Sequence, residues 1–126
     1  MDQALKKYED TIRPLMGGKR FKHSVNVAKM CVLLAERFGA DEDKAYTAGI
    51  LHDCRKEAEK DVMLEEAEKS GYFIDPVERD CVKLWHGIAG AYYVKDKLKI
   101  NDEDILNSIR FHTVGRADMS VLEKIV

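Results

Sequence analysis

Apolar residues recur at spacings of three and four along almost the whole chain and β-branched alternation is scarce, so the pattern predicts helices throughout and an all-α domain. Pro14-Leu-Met-Gly-Gly18 closes a short N-terminal helix. The next segment carries Phe21, Val25, Ala28, Val32 and Ala35 on one stripe and His23, Val27, Met30 and Leu34 on another, a pattern that predicts a helix buried on two sides. Gly39 ends it. Asp41 reads as the N-cap of a helix through Ala45, Ala48, Gly49 and His52, whose small residues permit a close neighbour and whose C-terminal end carries His52. Asp61 to Ser70 is a short amphipathic helix stopped by Gly71. Asp75-Pro76 is an N-cap followed by a first-turn proline, a further helix runs from about Trp85 to Leu98, and Asn101 or Asp102 caps the helix that delivers His112. Thr113-Val-Gly-Arg116 breaks the pattern. Ser120-Val-Leu-Glu123 then has the form of a capping box announcing one more helix, and because a few residues do not hold a helix alone, the sequence is expected to be truncated inside that element at Val126.

A length of 126 residues predicts one domain spanning 1–126. With 45% hydrophobic and 35% charged residues the chain has material for a core and is not of a disordered class. Lysine plus arginine (21) against aspartate plus glutamate (23) leaves a formal net charge of −2, so no global basic field recommends nucleic acid or an anionic membrane as partner. Any anion site must be local. Apolar runs such as Met30 to Ala35 are far shorter than a membrane span and Met1-Asp2-Gln3 has no signal-peptide pattern, so a cytoplasmic protein is expected. Cys31, Cys54 and Cys81 form no CxxC pair and no disulfide framework, and are read as reduced and structural.

The four histidines, His23, His52, His86 and His112, each fall on or beside a helix of their own, and His52 is followed directly by Asp53. Neutral imidazole and carboxylate suit zinc, iron, manganese and related metals, and a helical bundle can aim one ligand inward from each of several helices. Taken singly, each histidine reads first as a hydrogen-bonded core or helix-end residue. Cations accompany them: Arg20 precedes His23, Arg55 and Lys56 follow Asp53, Arg110 precedes His112 and Arg116 follows it. Phosphate oxygens need such partners, and a Thr/Gly turn offers backbone N–H groups to an anion. Solvated surface charge is the plain alternative for any one of them.

Arg20-x-x-His23, Ala-Gly-Ile-Leu-His52-Asp53-x-x-Lys56, Trp-His86-Gly and Ile-Arg-Phe-His112-Thr113-Val-Gly115-Arg116-x-x-Met119-Ser120-x-Leu-x-Lys-Ile together resemble the HD-domain superfamily of metal-dependent phosphohydrolases. Within it they are similar to the YqeK-like branch of symmetrical diadenosine tetraphosphate hydrolases. The resemblance implies an all-helical HD fold, a divalent centre with iron favoured over manganese or magnesium, and cleavage of the tetraphosphate bridge into two ADP. It implies His23, His52 and Asp53 as metal ligands, with Asp53 also orienting water and Lys56 beside it in the catalytic set. Arg20, Lys56, Thr113, Gly115 and Arg116 would meet the nucleotide phosphates, and His86 and His112 would bind either a second metal or phosphate. The family's last ligand is an aspartate beyond Val126, and Asp118 stands at a non-ligand position. Incomplete metal binding and self-association through Val121, Leu122 and Ile125 are therefore expected. Another HD-type nucleotide phosphohydrolase, or a nucleotide-binding module impaired in catalysis, are the alternatives.

Overall fold

The computed structural model describes residues 3–126; Met1 and Asp2, part of the N-terminal pattern read above, lie outside them. The described residues contain helices and no strand, in the order α1 (Gln3–Ile12), a 3-10 turn (Arg13–Leu15), α2 (Gly18–Phe38), α3 (Glu42–Leu51), α4 (Lys60–Lys69), α5 (Pro76–Asp80), a second 3-10 turn (Val82–Leu84), α6 (Trp85–Asp96), α7 (Glu103–Arg110) and α8 (Val121–Ile125). The N-caps fall where short polar side chains precede a periodic run. Asp41 accepts from the Lys44 N–H, Asp102 from Ile105, and Asp75 forms a full capping box with Glu78. At α8 the box is half made. Ser120 accepts from the Glu123 N–H, but the Glu123 carboxylate turns instead to Arg116, a charged fork being the stronger partner.

α2 ends at Gly39, which takes the left-handed conformation (φ 78°) and returns its N–H to the Ala35 carbonyl. α2 lies directly on α3. A Cβ on Gly49 would stand 2.9 Å from the Ala28 Cα and 3.1 Å from the Cys31 Sγ, so the small residues at this crossing set how closely the helices approach. The expectation that α2 is buried on two sides does not hold: Ser24, Ala28, Cys31 and Ala35 are buried, whereas Met30 is 54% exposed and Leu33 is also open. The reason is that α3 covers one face while α8 reaches only part of the other, leaving a groove lined by Leu34, Phe38, Val121 and Ile125. The core is built from Ile12, Ile50, Leu51, Val94, Leu106 and Ile109. All three cysteines are free, and burial pushes the Cys31 thiol up to about 11 and the Cys54 thiol up to about 12. No helix among the described residues is long and apolar enough to cross a membrane.

Candidate metal centre

Four chain segments bring the histidines together. His52 caps the C-terminus of α3 with Asp53 immediately after it, His86 lies in the first turn of α6, His112 in the turn that follows α7, and His23 in the N-terminal part of α2. α6 meets the end of α7 closely, since a Cβ on Gly87 would lie 3.0 Å from the Arg110 carbonyl oxygen and 3.3 Å from that of Ile109. That approach places His86 beside His112.

Three of the rings are fixed in the same way. His52 Nδ1 lies 2.6 Å from the Gly49 carbonyl, His86 Nδ1 3.0 Å from that of Lys83, and His112 Nδ1 2.6 Å from that of Ile109. A carbonyl only accepts, so each Nδ1 carries the hydrogen and each Nε2 turns inward. These Nε2 atoms converge on Asp53: Oδ2 is 3.3 Å from His52 and 3.6 Å from His23, while Oδ1 is 3.3 Å from His86 and 3.5 Å from His112. His86 Nε2 and His112 Nε2 are 3.2 Å apart. With both Nδ1 hydrogens committed, two neutral rings would set lone pair against lone pair, an arrangement that a shared proton or a bound metal ion relieves. Burial pushes the Asp53 carboxyl up, but the His112, His52 and His86 rings that face it outweigh that effect and hold the group well below the usual carboxylate range.

Two groups of three donors result, His23–His52–Asp53 and Asp53–His86–His112, each with its ligand atoms within 4.8 Å of one another. Asp53 belongs to both, one oxygen to each. Imidazole nitrogen and carboxylate oxygen, oriented by backbone carbonyls behind the rings, fit a divalent transition metal.

Of the cations singled out in the sequence, Arg20 is at the cluster, its Nη1 donating to Asp53 Oδ2 at 3.1 Å. Its Nε is buried without a hydrogen-bond partner, as is the Thr113 Oγ1. Lys56 follows Asp53 by a turn, its N–H donating to the Asp53 carbonyl at 2.9 Å, and its ammonium forms no ion pair among the described residues. Gly115 takes a positive φ of 70° in the turn after His112. Arg116 is held by both oxygens of the buried Glu123 at 2.8 and 2.6 Å, and lies over the Phe111 ring. Arg55 pairs with Glu66 and stacks on Tyr93, and Arg110 is buried against Glu78, so these two flanking arginines hold helices together. Sequence reasoning missed the carboxylates opposite the arginines. Glu57 accepts from the Gly17 N–H at 3.1 Å and stands 3.8 Å from Arg20 Nε, and only its position shortly after His52-Asp53-x-x-Lys56 hints at it.

The HD domain family matches residues 20–126. A symmetrical bis(5'-nucleosyl)-tetraphosphatase from Halalkalibacterium halodurans is 38% identical over 119 residues, which cover 91% of this chain and 61% of the relative. One of the same name from Bacillus subtilis is 40% identical over 107 residues, covering 85% of this chain and 57% of the relative. The chain spans about three fifths of the length of these relatives. A crystal structure described as a "predicted HD superfamily hydrolase involved in NAD metabolism", from Clostridium acetobutylicum, superposes with a TM-score of 0.89 at 40% identity, over 95% of this chain and 64% of that one. The all-helical architecture expected from the motifs is thus the one shared with that hydrolase, and with the match running from Arg20 to the last residue, this chain belongs to the HD domain family.

Proposed function

We propose that this chain is the hydrolytic domain of an enzyme that cleaves dinucleoside tetraphosphates symmetrically, diadenosine tetraphosphate giving two ADP, with iron as the favoured divalent metal. The observation that carries this reading is the sharing of one carboxylate, Asp53, between two three-donor groups beside a set of cations. The names of the 38–40% identical relatives supply the substrate class. His23, His52 and Asp53 would hold one ion, and Asp53, His86 and His112 a second. A divalent ion, when bound, supplies Lewis acidity toward a phosphoryl oxygen and makes water acidic enough to ionise near neutral pH.

The chain's own residues do the rest. The Gly49, Lys83 and Ile109 carbonyls keep the Nε2 lone pairs of three rings aimed inward, so little reorganisation accompanies binding. Arg20 and Lys56 offer positive charge to non-bridging phosphate oxygens, the main requirement of phosphoryl transfer being position and electrostatic stabilisation. A cavity of about 310 Å³ lined by Lys19, Arg20, His23 and Glu57 opens beside the cluster and takes part of the polyphosphate. Thr113 Oγ1, buried without a partner in the turn after His112, and the Gly115 turn would supply neutral contacts to the phosphates. Water adds to an inner phosphorus, the central P–O bond breaks, and each half departs as a nucleoside diphosphate. The test is product analysis with metal-loaded protein. ADP alone, lost on chelation and restored by ferrous or manganous ion, is expected; ATP plus AMP, or no turnover after metal is restored, contradicts the reading.

A further inference from the structure

A second cavity, of about 500 Å³, lies on the far side of the turn that carries His112. That volume falls within the range of small-molecule sites. Its lining includes Tyr72, Phe73, Val77, Phe111, Val114 and the Arg110–Glu78 pair. The turn itself links the two places: His112 faces the cluster, while its neighbours Phe111, Val114 and Gly115 line the cavity.

The chemistry of this cavity differs from that of its cationic counterpart. Arg110 is fully committed, its Nη1 and Nη2 donating to both Glu78 oxygens at 2.8 and 3.1 Å and Nη2 also to the Phe73 carbonyl at 3.1 Å. The pair is buried and neutral overall, so the cavity has no spare positive charge for a phosphate. It offers aromatic and apolar surface instead. Phe73 is 80% exposed and Val77 71% exposed, both unusual for such side chains, and Val114 is open as well. The backbone that bears Phe73 is not loose. Arg110 grips its carbonyl, and the Asp75–Glu78 capping box fixes the chain just beyond it. An exposed aromatic ring on a pinned backbone is a preformed stacking surface, and stacking is how proteins hold a nucleobase without needing charge.

We propose that this cavity is the nucleobase subsite: a purine ring stacks on Phe73 beside Phe111, and its polyphosphate crosses the 112–115 turn to reach the histidine cluster. This rests on the dinucleotide reading above and adds the residues that recognise the base.

The experiment is calorimetric titration of metal-loaded wild type and Phe73→Ala with ADP and, separately, with pyrophosphate, which has phosphates and no base. ADP affinity is expected to fall roughly tenfold in the variant, as the loss of one base–aromatic stack implies, while pyrophosphate affinity holds. Phe73→Tyr restores ADP binding, and Phe38→Ala, an equally simple truncation on the α2 groove, leaves it unchanged. Unaltered ADP affinity in Phe73→Ala, or an equal loss for ADP and pyrophosphate, overturns the subsite. Wild-type protein that cleaves the tetraphosphate yet shows either result refutes the subsite alone. Wild-type protein that neither cleaves it nor binds ADP more tightly than pyrophosphate refutes the dinucleotide reading, and this occupant with it.

Discussion

His86 and His112 lie on the inner side of Asp53 and His23 on its outer side, and the two sides are fixed by different means. On the inner side both rings are nearly buried, both donate Nδ1–H to carbonyls of their own helical turns, and the α6–α7 contact at Gly87 sets their separation. On the outer side the His23 side chain is 49% exposed and its ring forms no hydrogen bond among the described residues. Arg20 and Glu57, its neighbours there, are themselves partly open to solvent. The inner side is therefore preorganised for ligation by packing, whereas on the outer side only His52 is held that way and His23, Arg20 and Glu57 stand partly open to solvent. If the centre admits a polyphosphate, as proposed, this asymmetry leaves it a route that a fully packed shell would close.

Asp53→Ala should have the largest effect, because it removes the one group common to both sides. Turnover of diadenosine tetraphosphate is expected to fall below detection while far-ultraviolet circular dichroism remains helical. Retained activity would mean that the carboxylate is dispensable and that the two sides are unrelated. Next, His112→Ala should weaken metal binding by at least the roughly 10–100-fold that even outer partners of a metal contribute, whereas His23→Ala should cost less, about tenfold. Metal titration of the two variants compares the sides directly, and a larger loss from His23→Ala reverses the asymmetry.

Gly87→Ala tests whether packing positions the inner side. Its new methyl group would press on the Arg110 and Ile109 carbonyls, so thermal unfolding should show a loss of about 1–3 kcal/mol together with weaker metal binding. Glu57→Gln on the outer side should change stability by under about 0.5 kcal/mol. It should nevertheless strengthen pyrophosphate binding, because one negative charge leaves the cavity that Arg20 borders.

The helices and their caps were legible because their signals are local: Asp41, Asp75, Asp102 and Ser120 each cap the run that follows them. The histidine and aspartate motifs also named in advance the residues that the structure brings together around Asp53. What the sequence could not show depends on pairing between distant segments. Arg110 and Arg55 flank His112 and Asp53 in the sequence just as Arg20 and Lys56 flank His23 and Asp53, yet Glu78, 32 residues from Arg110, and Glu66, 11 from Arg55, engage them. Apolar periodicity on α2 likewise could not tell a face covered by a neighbour from one left as a groove, so Met30 read as core and lies exposed. The convergence of four Nε2 atoms on one carboxylate is of the same kind, since no spacing in the chain encodes the approach of α6 to α7.

The central claim is that Asp53 serves two adjacent ion sites, one through each oxygen, and counting metal per chain tests it most directly. Apo-protein reconstituted with manganous ion should take up two ions per chain, and the His86→Ala/His112→Ala double variant one, with the His23–His52–Asp53 group still filled. An equal count in the two proteins would contradict the claim, and would show that His86 and His112 meet the substrate rather than a second ion.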